Sequence, residues 1–248
     1  MSQPVTNIAA YHFTNLTDLP LWQEQVLNQT TALELKGTIL LAHEGINLFL
    51  AGSEQSIEAF LSWLRQHEPF AAIKVKRSES VDAPFKRLKV KIKNEIIRMN
   101  QPAIHPGAGR APALDPCTVR RWLQAGQDDD GRPVVMLDTR NAFEVQAGTF
   151  KGAINWHIDR FTQFPQALQA HRDELENKTI ISFCTGGIRC EKAAIYMQEV
   201  GVKHIYQLDG GILQYFEDTD GYGFEGHCFV FDERETLDTD LQQNRLGN

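Results

Sequence analysis

The chain has 248 residues, of which 42% are hydrophobic and 23% are charged, and its formal net charge is −7 at pH 7. This composition excludes a disordered chain and supplies enough apolar residues for two globular cores. No run of 18 apolar residues occurs, and residues 1–11 lack the basic and apolar segments of a secretory signal. We therefore expect a cytoplasmic protein without a membrane span.

The first hundred residues predict a small sheet covered by helices. Strand patterns occur in four segments, at residues 8–13, 37–50, 73–77 and 87–98. The second of these is interrupted at residues 44–47. Apolar residues recur at helical spacing in residues 21–35 and 57–66, and Ser53 is the expected N-cap of the second helix. The order β-α-β-α-β-β predicts an acylphosphatase-like, or ferredoxin-like, α+β domain over residues 1–99.

The last of these strands carries a strict alternation of basic and apolar residues. Its apolar members, Leu88, Val90 and Ile92, are expected to enter the core. The opposite face then presents cations about 6.6 Å apart, namely Arg87, Lys89, Lys91 and Lys93. Residues 74–98 carry a local charge of +6, against −13 for the rest of the chain. Such a ridge can bind the backbone phosphates of a nucleic acid, or it can be a solvated face or an edge protected against aggregation, and both alternatives stay open.

Residues 100–116, which hold four of the ten prolines, predict an extended linker. After it, Asp115 and Pro116 are expected to start a helix at residues 117–125 that Gly126 ends. Buried parallel strands are predicted by three continuous apolar runs, at residues 134–137, 180–183 and 204–208. A helix is expected between the last two runs, at residues 191–200.

These elements predict a parallel-sheet α/β domain over residues 117–222. A tail, residues 223–248, follows it. The acidic part of that tail, residues 232–240, is expected to be solvated.

Cys184 ends the second apolar run and opens a turn into the next predicted helix. Ligands of parallel sheets bind outside the carboxyl ends of the strands, which is where this cysteine falls. Two glycines allow amide groups to converge on the thiolate, and the helix N-terminus lowers its pKa. Arg189 is expected to complete this ring and to contact an incoming oxyanion. The rest of the predicted active-site loop is Thr185, Gly186, Gly187, Ile188 and Cys190.

The four cysteines show neither a C-x-x-C pair nor zinc-ligand spacing, so we expect no structural metal and no structural disulfide. Cys190 is either a core residue in the first turn of the helix, which we favour, or a thiol that attacks a modified Cys184. Cys117 and Cys228 are expected to pack in the interior. Asp138 and Arg140 are expected to support the domain through an ion pair.

Longer strings in the chain resemble a known family. DTR at 138–140, GTFKGAIN at 148–155, the loop at 184–189 and LDGGI at 208–212 resemble a rhodanese domain. CTGGIRCEKA, GGILQYFED, HCFVFDER, GTILLAHEGIN and VKIKNEII extend the similarity to the bacterial rhodanese-domain tRNA uridine hydroxylases, the TrhO or UPF0176 group. Two features differ from that group: the segment HPGAGRAPAL, and the lack of a cysteine-rich C-terminal extension.

This resemblance implies an acylphosphatase-like domain joined to a rhodanese domain. It also implies oxygen-dependent formation of 5-hydroxyuridine at the wobble position of tRNA, with Cys184 as the active residue. The implied partner is the anticodon region of tRNA and the implied co-substrate is molecular oxygen, while no other cofactor is identified.

Three alternatives accompany this hypothesis. The first is a thiosulfate-type sulfurtransferase that carries a persulfide on Cys184, and the sequence leaves open whether the cysteine acts as thiolate or persulfide. The second is a cysteine-dependent phosphatase, which needs one residue more than the C-x4-R spacing between Cys184 and Arg189. The third is a non-catalytic binding module, which the presence of Cys184 disfavours.

Overall fold

The computed structural model describes residues 4–243, which divide into two compact units. The N-terminal unit comprises residues 4–98 together with Phe231–Arg234. The C-terminal unit comprises residues 99–230 and 235–243. None of the helices in the described part of the chain has the length and apolar character needed to cross a bilayer.

The N-terminal unit is a five-stranded sheet with two helices packed on it. In chain order its elements are β1 (Val5–Phe13), α1 (Leu19–Ala32), β2 (Lys36–Ala42), β3 (Gly45–Gly52), α2 (Glu54–Arg65), β4 (Val75–Ser80) and β5 (Leu88–Ile92). The strand order is β4-β1-β3-β2-β5, and only the β2–β5 pair is parallel among these. Both helices share one apolar cluster with the strands, so the predicted acylphosphatase-like α+β fold is confirmed.

The predicted strand at residues 37–50 is a hairpin of two strands, β2 and β3. Gly45 permits the tight turn because its φ is 139° and an added Cβ would lie 2.0 Å from the carbonyl oxygen of His12. The predicted cap of α2 is confirmed, since the Ser53 hydroxyl accepts a hydrogen bond from the Ser56 amide at 3.1 Å.

The basic strand β5 is shorter than predicted and lies at the sheet edge. Leu88 and Val90 pack against the core as expected. Ile92 is 38% exposed, so its predicted burial is wrong, because it is the last residue of a strand that has a neighbour on one side only. Among the cations of the ridge, Lys89 is half-buried, and the exposed members are Arg87, Lys91 and Lys93.

The C-terminal unit is built around a four-stranded parallel sheet, as predicted for its α/β class. The elements before the central strand are β6 (Ala113–Leu114), α3 (Pro116–Ala125), β7 (Val134–Asp138), α4 (Ala142–Val145), β8 (Gly148–Phe150) and α5 (Phe164–Ala170). Those that follow are β9 (Thr179–Phe183), α6 (Ile188–Glu199), β10 (Ile205–Leu208), α7 (Gly211–Asp218), β11 (Phe224–Gly226), β12 (Cys228–Phe229) and β13 (Thr236–Leu237). The sheet order is β6-β10-β9-β7, which leaves β9 flanked on both sides and completely buried.

The segment predicted as an extended linker, residues 100–116, is partly structured. Its residues Ala113–Leu114 form the edge strand β6, which pairs with β10. Arg110 forms ion pairs with Glu191 and Asp209 of the C-terminal unit. The strand pairing and the two ion pairs attach this segment to the rest of the C-terminal unit. The proline content of the segment does not indicate such an attachment.

The tail is folded where the structure describes it. β11 pairs with β8, and β12 pairs with β13. The prediction that residues 232–240 are solvated is wrong for Asp232 and Arg234, which form a nearly buried ion pair in the N-terminal unit. Apolar residues flank the charged ones, and Val230 and Leu237 are buried, which explains why this charged segment folds.

Candidate active site

Cys184 directly follows the last residue of β9, at the carboxyl end of the parallel strands, and α6 begins four residues later. Its side chain is 1% exposed, and its Sγ accepts a hydrogen bond from the Gly187 amide at 3.1 Å. Gly187 has a φ of 99°, a conformation that glycine adopts without strain and that turns this amide toward the sulfur. The structure therefore brings the cysteine and the amides of its loop together at the start of a helix.

The surroundings of Cys184 favour its thiolate. Burial acts to raise the pKa of this thiol. A hydrogen bond from Cys190, the positive charge of Arg189, and the amides of Arg189 and Gly187 outweigh burial and lower the pKa to about 6. A thiol with such a pKa is ionised at neutral pH, which makes it a nucleophile.

Arg189 is held by Glu144, a residue that the sequence analysis did not identify. The Arg189 guanidinium donates from Nη1 to Glu144 Oε1 at 2.5 Å and from Nη2 to Oε2 at 2.7 Å. Both side chains are buried. Burial acts to lower the pKa of Arg189, but the charges of Glu144 and Cys184 raise it, so the guanidinium stays charged. Arg189 thus lies between the thiolate and a carboxylate, and its expected contact with an incoming oxyanion stays a prediction.

Cys190 is fully buried on the other side of the thiol, as favoured from the sequence. Its Sγ lies 3.7 Å from Thr139 Oγ1, and it also forms a hydrogen bond with Cys184. Burial and the neighbouring Cys184 raise the pKa of Cys190, which keeps it a thiol that donates to the thiolate. Two sulfur atoms therefore share one buried environment.

The other two cysteines differ from one another. Cys228 is buried, as predicted, and burial raises its pKa to about 12. Cys117 is exposed, so its predicted packing is wrong. It lies in the first turn of α3, whose buried face is formed by residues such as Val119 and Trp122.

The first turn of α7 holds the active-site loop through backbone hydrogen bonds. The amides of Ile212 and Leu213 donate to the carbonyl oxygens of Cys184 at 2.9 Å and of Thr185 at 3.1 Å. Gly211 has a φ of 67°, and an added Cβ would lie 2.4 Å from the Cys184 carbonyl oxygen. No atom of residues 4–243 lies within 4 Å of a Cβ added to Gly186, so the loop is open on that side.

The predicted Asp138–Arg140 ion pair is present and completely buried. Asp138 accepts from Arg140 Nε at 2.9 Å and Nη2 at 2.7 Å, and also from the Thr149 hydroxyl at 2.7 Å. Arg140 Nη2 donates in addition to the Gly148 carbonyl oxygen at 2.6 Å. These bonds join β7 to β8 and thereby support α4, which carries Glu144.

The remaining predicted residues are Ile188 and the basic residues of the N-terminal half. Ile188 is half-buried at the start of α6. The four basic residues in and beside β5, Arg87, Lys89, Lys91 and Lys93, belong to the N-terminal unit. Within the described part of the chain, no three His, Cys, Asp or Glu side chains are grouped to hold a metal ion. A cavity of about 440 Å³, lined by Phe216, Asp220 and Thr239 among others, includes none of the predicted site residues.

The fold and the loop define the class of protein: an acylphosphatase-like domain joined to a rhodanese-like domain. The model of the UPF0176 acylphosphatase-like domain matches residues 5–96, and that of the rhodanese-like domain matches residues 119–218. The rhodanese-like domain of an Anabaena protein covers 46% of this chain and 79% of its own, with 20% identity and a TM-score of 0.37.

Relatives extend the match over nearly the whole chain. The tRNA uridine(34) hydroxylase of Bordetella petrii is 65% identical over 237 residues, which are 96% of this chain and 94% of the relative. That of Bordetella avium is 63% identical over 238 residues, or 96% and 98% of the two chains. The chain belongs to the tRNA uridine(34) hydroxylase family, and the resemblance noted in the sequence is confirmed.

Proposed function

We propose that this protein hydroxylates uridine 34 of tRNA at C5, with Cys184 as its active residue and molecular oxygen as co-substrate. The observation that carries the proposal is a buried cysteine whose Sγ accepts the Gly187 amide at a helix start, in a chain 65% identical to a tRNA uridine(34) hydroxylase. The names of the relatives favour this activity over simple sulfur transfer. A tRNA substrate also implies a cytoplasmic location.

The substrate site would receive the wobble base from the anticodon loop. That base is already single-stranded, so turning it into a protein site costs little. The exposed cations in and beside β5, which are Arg87, Lys91 and Lys93, are suited to contact the tRNA backbone together with the half-buried Lys89.

The chemistry follows from the charge distribution around the sulfur. Addition of the Cys184 thiolate to C6 of uracil moves electron density to C5 and O4. Arg189 and the loop amides stabilise the negative charge that develops. One atom of molecular oxygen is then added to C5 as a hydroxyl group, and the other leaves as water, which takes up two protons and two electrons from an external reductant. Loss of the C5 proton restores the C5–C6 double bond and expels the Cys184 thiolate from C6.

The decisive experiment is nucleoside analysis of tRNA from cells that lack this gene. Complementation with the wild type should restore 5-hydroxyuridine derivatives, whereas Cys184→Ala should not. Cys117→Ala is the matched control, because Cys117 is the exposed cysteine of the same unit. Equal modification in all strains would reject the proposal. Rapid turnover of thiosulfate and cyanide without tRNA modification would support a sulfurtransferase instead.

A further inference from the structure

Two phenylalanines lie beside the active-site loop and have no part in the chemistry described above. Phe143 directly precedes Glu144, whose carboxylate holds Arg189. The carbonyl oxygen of Phe229 accepts a hydrogen bond from the Thr185 hydroxyl at 3.3 Å. The two rings meet edge to face, with centroids 5.2 Å apart and an interplanar angle of 88°. Each phenylalanine is therefore anchored to the loop that contains Cys184.

Much of the Phe143 side chain is exposed to solvent. It is 47% exposed, although its neighbour Glu144 is completely buried. Among the described residues of the C-terminal unit, Phe143 and Tyr222 are the large hydrophobic side chains with this degree of exposure. An apolar ring at the surface beside a reactive group is typical of a binding site.

The Phe143 ring is also held rigidly. Hydrogen bonds of Glu144 restrain the helix α4, and a ring contact restrains the Phe143 side chain. Glu144 accepts from the Asn141 amide at 3.1 Å as well as from Arg189. The aromatic contact with Phe229 restrains the side chain itself. A rigid exposed ring loses little conformational entropy when a ligand binds against it.

We propose that Phe143, supported by Phe229, is the stacking surface for the pyrimidine base on which Cys184 acts. This inference rests on the proposed function, since it takes uridine 34 as the ligand. A base turned out of the anticodon loop loses its stacking neighbours, and an aromatic side chain replaces them. The open side of the loop at Gly186 leaves room for such a base.

Binding of anticodon stem-loop RNA tests the inference directly. Two RNAs are compared, one with uridine at the wobble position and one with an abasic nucleotide there. Phe143→Leu keeps an apolar side chain but removes the aromatic face. It should weaken binding of the uridine RNA by about 10-fold and leave the abasic RNA unchanged. Phe143→Trp should bind the uridine RNA at least as tightly as the wild type.

Tyr222→Leu is the matched control, because it removes an aromatic ring of similar exposure from the same unit. It should change neither affinity. The rate of Cys184 alkylation should be the same in Phe143→Leu and in the wild type, since the ring does not act on the sulfur. Thermal unfolding should likewise be unchanged within a few degrees.

Unchanged affinity of Phe143→Leu for the uridine RNA would overturn the inference. Equal weakening for both RNAs would also overturn it, because the ring would then act without the base. The proposed function fails separately, if the wild type restores no 5-hydroxyuridine in cells.

Discussion

Glu144 and Arg189 form a buried bidentate ion pair, although 45 positions separate them in the chain. The pair joins α4 to the first turn of α6, directly beside Cys184. Arg189 is therefore positioned by one negative group while it stabilises another. Removing the carboxylate should disturb both the stability of the domain and the geometry of the site.

Glu144→Ala leaves the Arg189 guanidinium buried without its carboxylate, and we expect a loss of about 3–5 kcal/mol in the free energy of unfolding. Urea unfolding measures this loss. Asp129→Ala is the control, because Asp129 forms a bidentate pair with Arg121 that is exposed. Its cost should be much smaller than that of Glu144→Ala, because water screens an exposed pair and solvates the arginine that is left. Similar losses in the two variants would contradict the role assigned to burial.

Alanine substitutions of two glycines form a matched pair. Gly186 lies in the active-site loop, and Gly211 lies at the start of α7, which contacts that loop. Gly211→Ala places a Cβ 2.4 Å from the Cys184 carbonyl oxygen at a φ of 67°. We expect it to cost about 2 kcal/mol or more and to slow alkylation of Cys184 by iodoacetamide. The Cβ of Gly186→Ala meets no atom within 4 Å in the described part of the chain, and this substitution should leave the free energy of unfolding unchanged. A neutral Gly211→Ala would show that α7 does not fix the loop.

The pH dependence of Cys184 alkylation tests the charge state of the thiol. Cys117→Ser serves as the background, so that the exposed thiol does not react. The rate should rise with a midpoint of about pH 6 and level off above it. Cys190 and Cys228 should stay unreactive, because their pKa values are raised. A midpoint near 9.0, the ordinary value, would mean that the loop does not stabilise the thiolate.

The lowered pKa of Cys184 also makes the free energy of unfolding depend on pH, and proton linkage gives the direction of that dependence. The folded-state pKa of Cys184 lies below its unfolded value, so the folded state binds fewer protons between about pH 6 and 9.0. Its contribution is fully present above the unfolded pKa and is lost as the pH falls through the folded pKa. The free energy of unfolding of the wild type relative to Cys184→Ala should therefore increase over this range. A flat difference would contradict the lowered pKa.

The arrangement around Cys184 is predictable from sequence because its signals are local. A continuous apolar run, two glycines and a helical pattern follow one another within a few residues. Glu144 gives no comparable signal. Its only local pattern is Asn141 followed three residues later by an acidic residue, which indicates a helix cap and not a partner for Arg189.

The folded tail escaped prediction for a related reason. β11, β12 and β13 contain two or three residues each, which is too short for a periodic pattern. β11 in addition pairs with a strand far away in sequence, β8. The acidic residues between β12 and β13 are typical of a solvated chain end. The burial of Cys228 and Leu237, which shows that the segment is folded, is seen only in the structure.

The basic edge strand leads to a prediction about salt. Lys91→Ala combined with Lys93→Ala removes two exposed cations from the end of β5 and the residue just after it. If these lysines contact tRNA phosphates, the double variant should bind tRNA more weakly, and the slope of log affinity against log salt should fall by about 1–2.

Arg172→Ala combined with Lys203→Ala is the control, since it removes the same charge from exposed positions that precede β9 and β10. Those positions lie at the amino ends of the strands, opposite to the end that carries Cys184. The control should leave the slope of log affinity against log salt unchanged. Only cations that contact phosphates release counterions, whereas a change in net charge elsewhere on the protein does not. Identical slopes for the two double variants would instead assign the lysines of β5 to a solvated edge that prevents strand pairing.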